Sequence, residues 1–124
     1  MSKERTREGY IILGYWAQTP ESAASEGLPW PGDLMNPEMS HETRALVGDY
    51  LDAHYAPVRF YARYRGWSNC RLCGKNNGGT EWTDGTYAWP EGLSHYIRAH
   101  GVKLPVEFIR HVGVVRGDRQ KPPR

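Results

Sequence analysis

CRLCGKNNGGTEWTDGTYAWPEGLSHYIRAH, residues 70–100, carries two cysteines, a turn signal and two histidines in the order C-x2-C, 21 residues, H-x4-H. Thiolates and imidazoles are the donors that borderline-soft zinc prefers, and two of each close a tetrahedral structural site. Gly74 directly after Cys73 suits a tight metal-binding knuckle, because glycine takes the backbone angles such a turn needs. The sequence therefore predicts one zinc ion held by Cys70, Cys73, His95 and His100.

Between the two pairs, Glu81-Trp82-Thr83 and Thr86-Tyr87-Ala88 flank Asp84-Gly85, a strong two-residue hairpin signal. Trp89-Pro90-Glu91 then opens a helix, with proline and an acid where the helix dipole favours them. Arg98 falls in the last turn of that helix, and Gly101 sits where a left-handed C-cap belongs. His95 and His100 are five residues apart, about 140° around an ideal helix of 3.6 residues per turn. His100 shares the face of Leu93, Tyr96 and Ile97, whereas His95 points away. Both reach one ion only if the helix loosens near its end. Otherwise His111 or an acid such as Asp84 supplies the fourth donor, or water does.

With its hairpin-then-helix order, the stretch 70–100 resembles the C2H2 zinc fingers, although its spacer of 21 residues exceeds the familiar 12 or so. The segment TDGTYAWPEGLSHYIRAHGVKLPVEFIRHV also resembles the C-terminal part of small bacterial zinc-binding proteins with a Cys-x-x-Cys-Gly before it. That second resemblance implies a recurring unit and carries no activity with it.

The remaining residues explain why a metal staple would help. Leu, Ile, Val and Phe number 21 of 124 residues, below the roughly 20% at which an ordinary aliphatic core becomes doubtful. Net charge is only +2, so the composition is not that of a disordered chain. Five Trp and eight Tyr make up the shortfall, since their rings bury large areas while keeping one polar end.

Upstream, Tyr10–Trp16 (YIILGYW) reads as a strand, and residues 17–35, with three prolines and two glycines, as irregular. Asn36-Pro37 reads as the cap and first residue of a helix reaching Ala53, with Leu46, Val47, Tyr50 and Leu51 as its apolar stripe. Val58–Arg65 alternates: Val58, Phe60, Ala62 and Tyr64 on one face, Arg59, Tyr61, Arg63 and Arg65 on the other. Downstream, a helix from Pro105 shows Val106, Phe108, Ile109 and Val112 to the core and ends near Gly113. The expected class is α+β: an antiparallel hairpin, two C-terminal helices and an N-terminal helical extension. Residues 1–55 form that extension, packed on a zinc module of residues 56–115, and 116–124 form a disordered basic tail.

No run of 18 apolar residues is present, and no secretory signal is recognisable, so a reducing, cytoplasmic setting without a membrane span is expected. A thioredoxin-like role for the cysteine pair would need a βαβ pattern that is absent. Charge is uneven: residues 1–54 carry four Lys/Arg against nine Asp/Glu, and residues 55–124 carry twelve against five. The two halves either attract each other or meet different partners.

Three functions compete. The zinc is structural and the domain is a protein-interaction or regulatory module, with an aromatic surface drawn from Tyr10, Tyr15, Trp16, Trp30, Tyr55, Tyr61 and Trp67 unless those rings form the core. Alternatively Arg59, Arg63, Arg65, Arg71 and Lys75, interleaved with Tyr61 and Trp67, bind single-stranded nucleic acid. The third reading is a zinc-dependent hydrolase, with Cys70, Cys73 and His100 leaving an open position near Glu81 or Glu91. The H-x-E motif of the zinc deaminases is missing.

Overall fold

The computed structural model describes residues 6, 8–52, 57–63 and 69–120, the last seven of these by backbone alone. Among the described residues the architecture is α+β, with a four-stranded mixed sheet and four α-helices, two of them C-terminal. In chain order these are β1 (Ile11–Ile12), α1 (Ala23–Glu26), α2 (His41–Leu51), β2 (Arg59–Arg63), β3 (Thr80–Thr83), β4 (Tyr87–Pro90), α3 (Leu93–His100) and α4 (Val106–Gln120). A 3-10 turn spans Pro31–Leu34. The sheet order is β1-β4-β3-β2.

β4 is central, and its Tyr87, Ala88 and Trp89 are all buried. Its hairpin with β3 turns one residue later than Asp84-Gly85 alone implies. The Asp84 carboxylate accepts the Thr86 and Tyr87 amides at 2.9 and 2.8 Å, an Asx-type turn that delays the start of β4. Gly85 supplies a φ of 94° in that turn. The predicted strand at Tyr10–Trp16 shortens to β1, which runs parallel to β4 with Ile11 opposite Tyr87. On the far edge, the β2–β3 register shifts between Phe60 and Ala62. The bulge ends the simple alternation expected for Val58–Arg65.

α2 begins later than Asn36-Pro37 implies. Ser40 is the N-cap, its hydroxyl accepting the Thr43 amide, while the Asn36 side chain caps a local turn at Glu38 and its amide is drawn to the Gly101 carbonyl. Serine caps well because its hydroxyl accepts a first-turn amide, and Asn36 is engaged elsewhere. Val47, Tyr50 and Leu51 are buried as their stripe predicts. α3 ends on Gly101 with φ 63°, as expected for a left-handed cap.

α4 differs from expectation in two ways. Phe108 and Val112, four apart, face the core, whereas Val106 and Ile109 lie off that line and are 59% and 38% exposed. The helix also passes Gly113 and runs to Gln120, because glycine weakens a helix by only about 1 kcal/mol. Residues 121–124 of the expected tail lie outside the described residues.

A single core draws on both halves of the chain: Leu13, Trp16, Val47, Tyr50 and Leu51 join Trp89, Leu93, Ile97, Phe108 and Val112. Aromatic rings take the place of missing aliphatics. Tyr50, Trp89 and Phe108 are fully buried, with ring centroids 6.0 Å apart in each pairing. The Trp89 indole donates to the Leu51 carbonyl, so the ring enters the core without an orphaned polar atom. The acidic and basic halves meet between α2 and α3, where Arg98 pairs with Asp49 at 2.7 Å and Asp52 at 3.0 Å. No helix among the described residues is long and apolar enough to cross a membrane.

Candidate metal centre

Residues 70–74 form the knuckle that the sequence suggested. The Cys70 amide donates to the Lys75 carbonyl, the Gly74 amide donates back to the Cys70 carbonyl, and Gly74 takes a φ of 80°. An isolated bridge between Asn69 and Asn76 closes the base of this turn. The knuckle precedes the β3–β4 hairpin instead of sitting on it, which is why the spacer is long. Hairpin and helix then return the chain so that α3 faces the knuckle.

One donor atom each from Cys70, Cys73, His95 and His100 lies within 4.8 Å of every other, a group that could hold a metal ion. His95 Nε2 stands 3.2 Å from the Cys73 sulfur. The His95 and His100 rings are 5.1 Å apart and nearly perpendicular. His95 occupies the first turn of α3 and His100 its last residue. Five residues of helix rise about 7.5 Å, and the two imidazoles reach inward from either end to cover that distance. The donor atoms converge despite the 140° offset, with His100 the last residue of α3 before the left-handed Gly101.

The donor atoms fit a metal on an observation independent of spacing. His100 Nε2 is buried and has no hydrogen-bond partner. A buried nitrogen in that state costs about 1–3 kcal/mol unless something takes its lone pair or its proton. The surrounding sulfurs and the second imidazole are what a metal-ligating nitrogen would have for neighbours. Burial, with His100 and Lys75 nearby, holds the His95 pKa below the ordinary imidazole value, favouring the neutral ligand form. Burial pushes the Cys70 thiol up.

Residues around the four donors set their positions. The Tyr96 hydroxyl accepts the Arg71 amide at 2.7 Å and so ties α3 to the knuckle between its two cysteines. Burial pushes that hydroxyl's pKa up to about 12, so it stays a neutral phenol. Glu91 accepts the Gly79 and Thr80 amides and binds the loop before β3 to the start of α3. Gly92 permits that closeness, since a Cβ there would lie 2.0 Å from Asn77 Cβ. Tyr96 reads in the sequence only as part of an apolar stripe, and Glu91 only as a helix-start acid. Their partners are backbone amides distant in sequence, which no side-chain pattern reports.

Asp84 and His111, the alternative fourth donors, form a separate cluster. Asp84 Oδ2 lies 2.7 Å from His111 Nε2 and accepts the Tyr50 hydroxyl at 2.5 Å. Its side chain is fully buried. Burial and this carboxylate together push the Tyr50 pKa far up.

The cationic residues do not gather in the same way. The bulge puts Arg59 opposite Thr83 but Arg63 opposite Thr80, so the two arginines project from opposite faces of β2. Arg63 lies over the Phe60 ring at 5.9 Å, on the face that Phe60 shares with Trp82. Lys75 is exposed, Arg71 is half-buried, and Arg65 lies outside the described residues. Among the aromatic residues, Trp16 is buried in the core, Tyr10, Tyr15, Trp30 and Tyr61 are half-buried, and Tyr55 and Trp67 lie outside the described residues.

His100→Ala is expected to cost more stability than His95→Ala, because its ring sits behind the helix face of Tyr96 and Ile97. Thermal melts of the two variants at saturating zinc check this, and a larger loss for His95→Ala would contradict it. No protein-family model, curated protein or solved structure matches the chain, so the reading of this site rests on its own donor atoms.

Proposed function

We propose that Cys70, Cys73, His95 and His100 bind one structural zinc ion and that the domain so organised acts as a protein-interaction module. The observation that carries this reading is the convergence of two sulfurs and two imidazoles within 4.8 Å. Zinc is favoured by that donor mixture, and four protein donors fill a tetrahedral shell. A catalytic zinc needs one position left to water, which argues against the hydrolase. The resemblance to the C2H2 fingers survives in element order, hairpin then helix, but with the cysteines on a separate knuckle. Nucleic-acid binding through β2 loses its main geometric support, because Arg59 and Arg63 do not share a face. A domain of this kind uses the metal to fix surfaces that its lean core would not fix alone.

Cobalt(II) tests the coordination. Titrated into metal-free protein, it is expected to give the visible spectrum of a tetrahedral thiolate complex at one equivalent, displaced by zinc. Binding should release about two protons per ion near neutral pH, because both thiols must ionise. The sign follows from the ligands: burial holds the His95 pKa down and pushes the Cys70 thiol up, so affinity rises with pH as the thiols ionise and falls on acidification. An octahedral cobalt spectrum, or affinity independent of pH, would overturn the reading. A salt titration against a mixed single-stranded oligonucleotide is expected to show no binding at physiological salt, and tight binding there would favour the nucleic-acid alternative.

A further inference from the structure

The two edges of the sheet are built differently. β2 carries the devices that keep an edge from pairing with foreign strands, a bulge and two exposed arginines. β1 carries none of them. Its sequence is Ile11-Ile12 followed by Leu13, with no charge, no proline and no bulge. The Ile11 and Leu13 amides donate to the Thr86 and Ala88 carbonyls of the β4 side. In a parallel pair the residue between them, Ile12, turns its N–H and C=O the other way. β1 is the outer strand of the sheet order, so these two groups of Ile12 face away from β4. Tyr10 does not extend this free edge, because its backbone is bonded on both sides to Thr6.

An open groove of about 520 Å³ follows the same edge, lined by every residue from Ile11 to Trp16. Leu28, Leu34, Leu104 and Pro105 contribute much of the remaining lining, which is largely apolar. That volume lies within the roughly 300–1,000 Å³ of pockets that bind specific ligands. Among the described residues, Lys103 is the one charged residue lining it. It is exposed and has no ion pair among the described residues. An apolar channel, an outward main-chain donor and acceptor on the edge strand, and an exposed cation describe a complementary ligand. That ligand is extended, apolar, able to pair through its backbone, and negatively charged at one place.

We propose that this groove takes the carboxyl-terminal end of an extended apolar peptide, added as a strand along β1 with its terminal carboxylate against Lys103. The partner is thus a protein with an exposed apolar C-terminus. Strand addition supplies the affinity through main-chain bonds at Ile12, and the groove selects side chains on alternate positions. At about 3.3 Å per residue, three or four peptide residues span the stretch from Ile11 to Gly14. A free fatty acid would satisfy Lys103 and the apolar lining but would leave Ile12 unpaired. A second copy of this chain pairing β1 to β1 would satisfy Ile12 but bring no carboxylate to Lys103. The proposal deepens the interaction-module reading and rests on it.

The test uses the full chain loaded with zinc and two displayed libraries of random hexapeptides, one with free carboxyl ends and one with free amino ends. Enrichment of apolar sequences is expected only in the first. The best selected peptide is then synthesised as the acid, as the carboxamide, and with N-methyl groups at alternate amides. By fluorescence anisotropy the carboxamide is expected to bind about tenfold more weakly, as is the acid to Lys103→Gln, for loss of one charge pair. The N-methylated peptide of one phase should lose binding while the other phase keeps it, a readout that needs no protein variant. Ile12→Pro, which removes the outward amide together with a groove-lining side chain, should weaken binding strongly, and its melting curve shows whether the fold is kept.

No enrichment, equal binding of acid and carboxamide, or indifference to N-methylation at both phases would overturn the proposal. So would a stable dimer by sedimentation that dissociates in Ile12→Pro. Zinc content is measured on the same samples: failure to select peptides with zinc bound counts against the groove alone, whereas a zinc-free folded protein counts against the module reading.

Discussion

Cys73→Ser is expected to lose both the metal and cooperative unfolding. The side chain of Cys73 is exposed, so its replacement by serine creates no cavity and removes little apolar burial. The same change at Cys70, which is 3% exposed, would mix metal loss with a packing defect. Binding energy of a structural zinc is on the order of 10 kcal/mol. The whole stability of a domain this size is roughly 5–15 kcal/mol. Removing the first from the second leaves little or nothing, and an aliphatic-poor core cannot make up the difference. Excess chelator should therefore unfold the wild-type chain, as followed by circular dichroism, and zinc should restore it. A melting curve unchanged by chelator or by Cys73→Ser would contradict this.

Asp84→Ala is expected to destabilise the fold by roughly 3–5 kcal/mol without changing the metal stoichiometry. The buried carboxylate serves four groups at once: the Tyr50 hydroxyl, His111, and the amides of Thr86 and Tyr87. It thereby joins α2, α4 and the β3–β4 turn, three elements that the metal does not touch. Alanine leaves a buried hydroxyl and two amides without acceptors, and each costs about 1–3 kcal/mol when unpaired. Asp84→Asn keeps one oxygen for the turn amides and should cost about half as much. Denaturant titrations at saturating zinc separate these values. A loss below about 1 kcal/mol for Asp84→Ala would show that the cluster is hydrated and structurally minor.

Much of this organisation was legible in the sequence where a local chemical rule acts alone. The knuckle follows from Cys-x-x-Cys-Gly, the end of α3 from Gly101, and the buried stripe of α2 from apolar spacing. Legibility failed where a distant partner chose between local options. Ser40 displaced Asn36 as the cap of α2 because Asn36 is bonded to Gly101. β1 pairs in parallel with β4, a non-local choice that a short apolar run cannot announce. The bulge at Tyr61 reversed the facing of Arg63, and one inserted residue has no compositional mark. Asp84 illustrates both outcomes: its turn was readable, whereas its bonds to Tyr50 and His111 join positions 34 and 27 residues away. At the candidate metal centre, the four residues that cluster were readable from type and spacing. Their convergence was not, because a five-residue separation looks unfavourable on an ideal helix, yet His95 in the first turn of α3 and His100 at its last residue come together.

Zinc K-edge absorption on the purified full chain tests the central claim most directly. The expected result is one zinc per chain bound by two sulfur and two nitrogen donors, at about 2.3 and 2.0 Å, with no oxygen neighbour. A shell containing water, fewer than two sulfurs, or no zinc in a folded protein would contradict it.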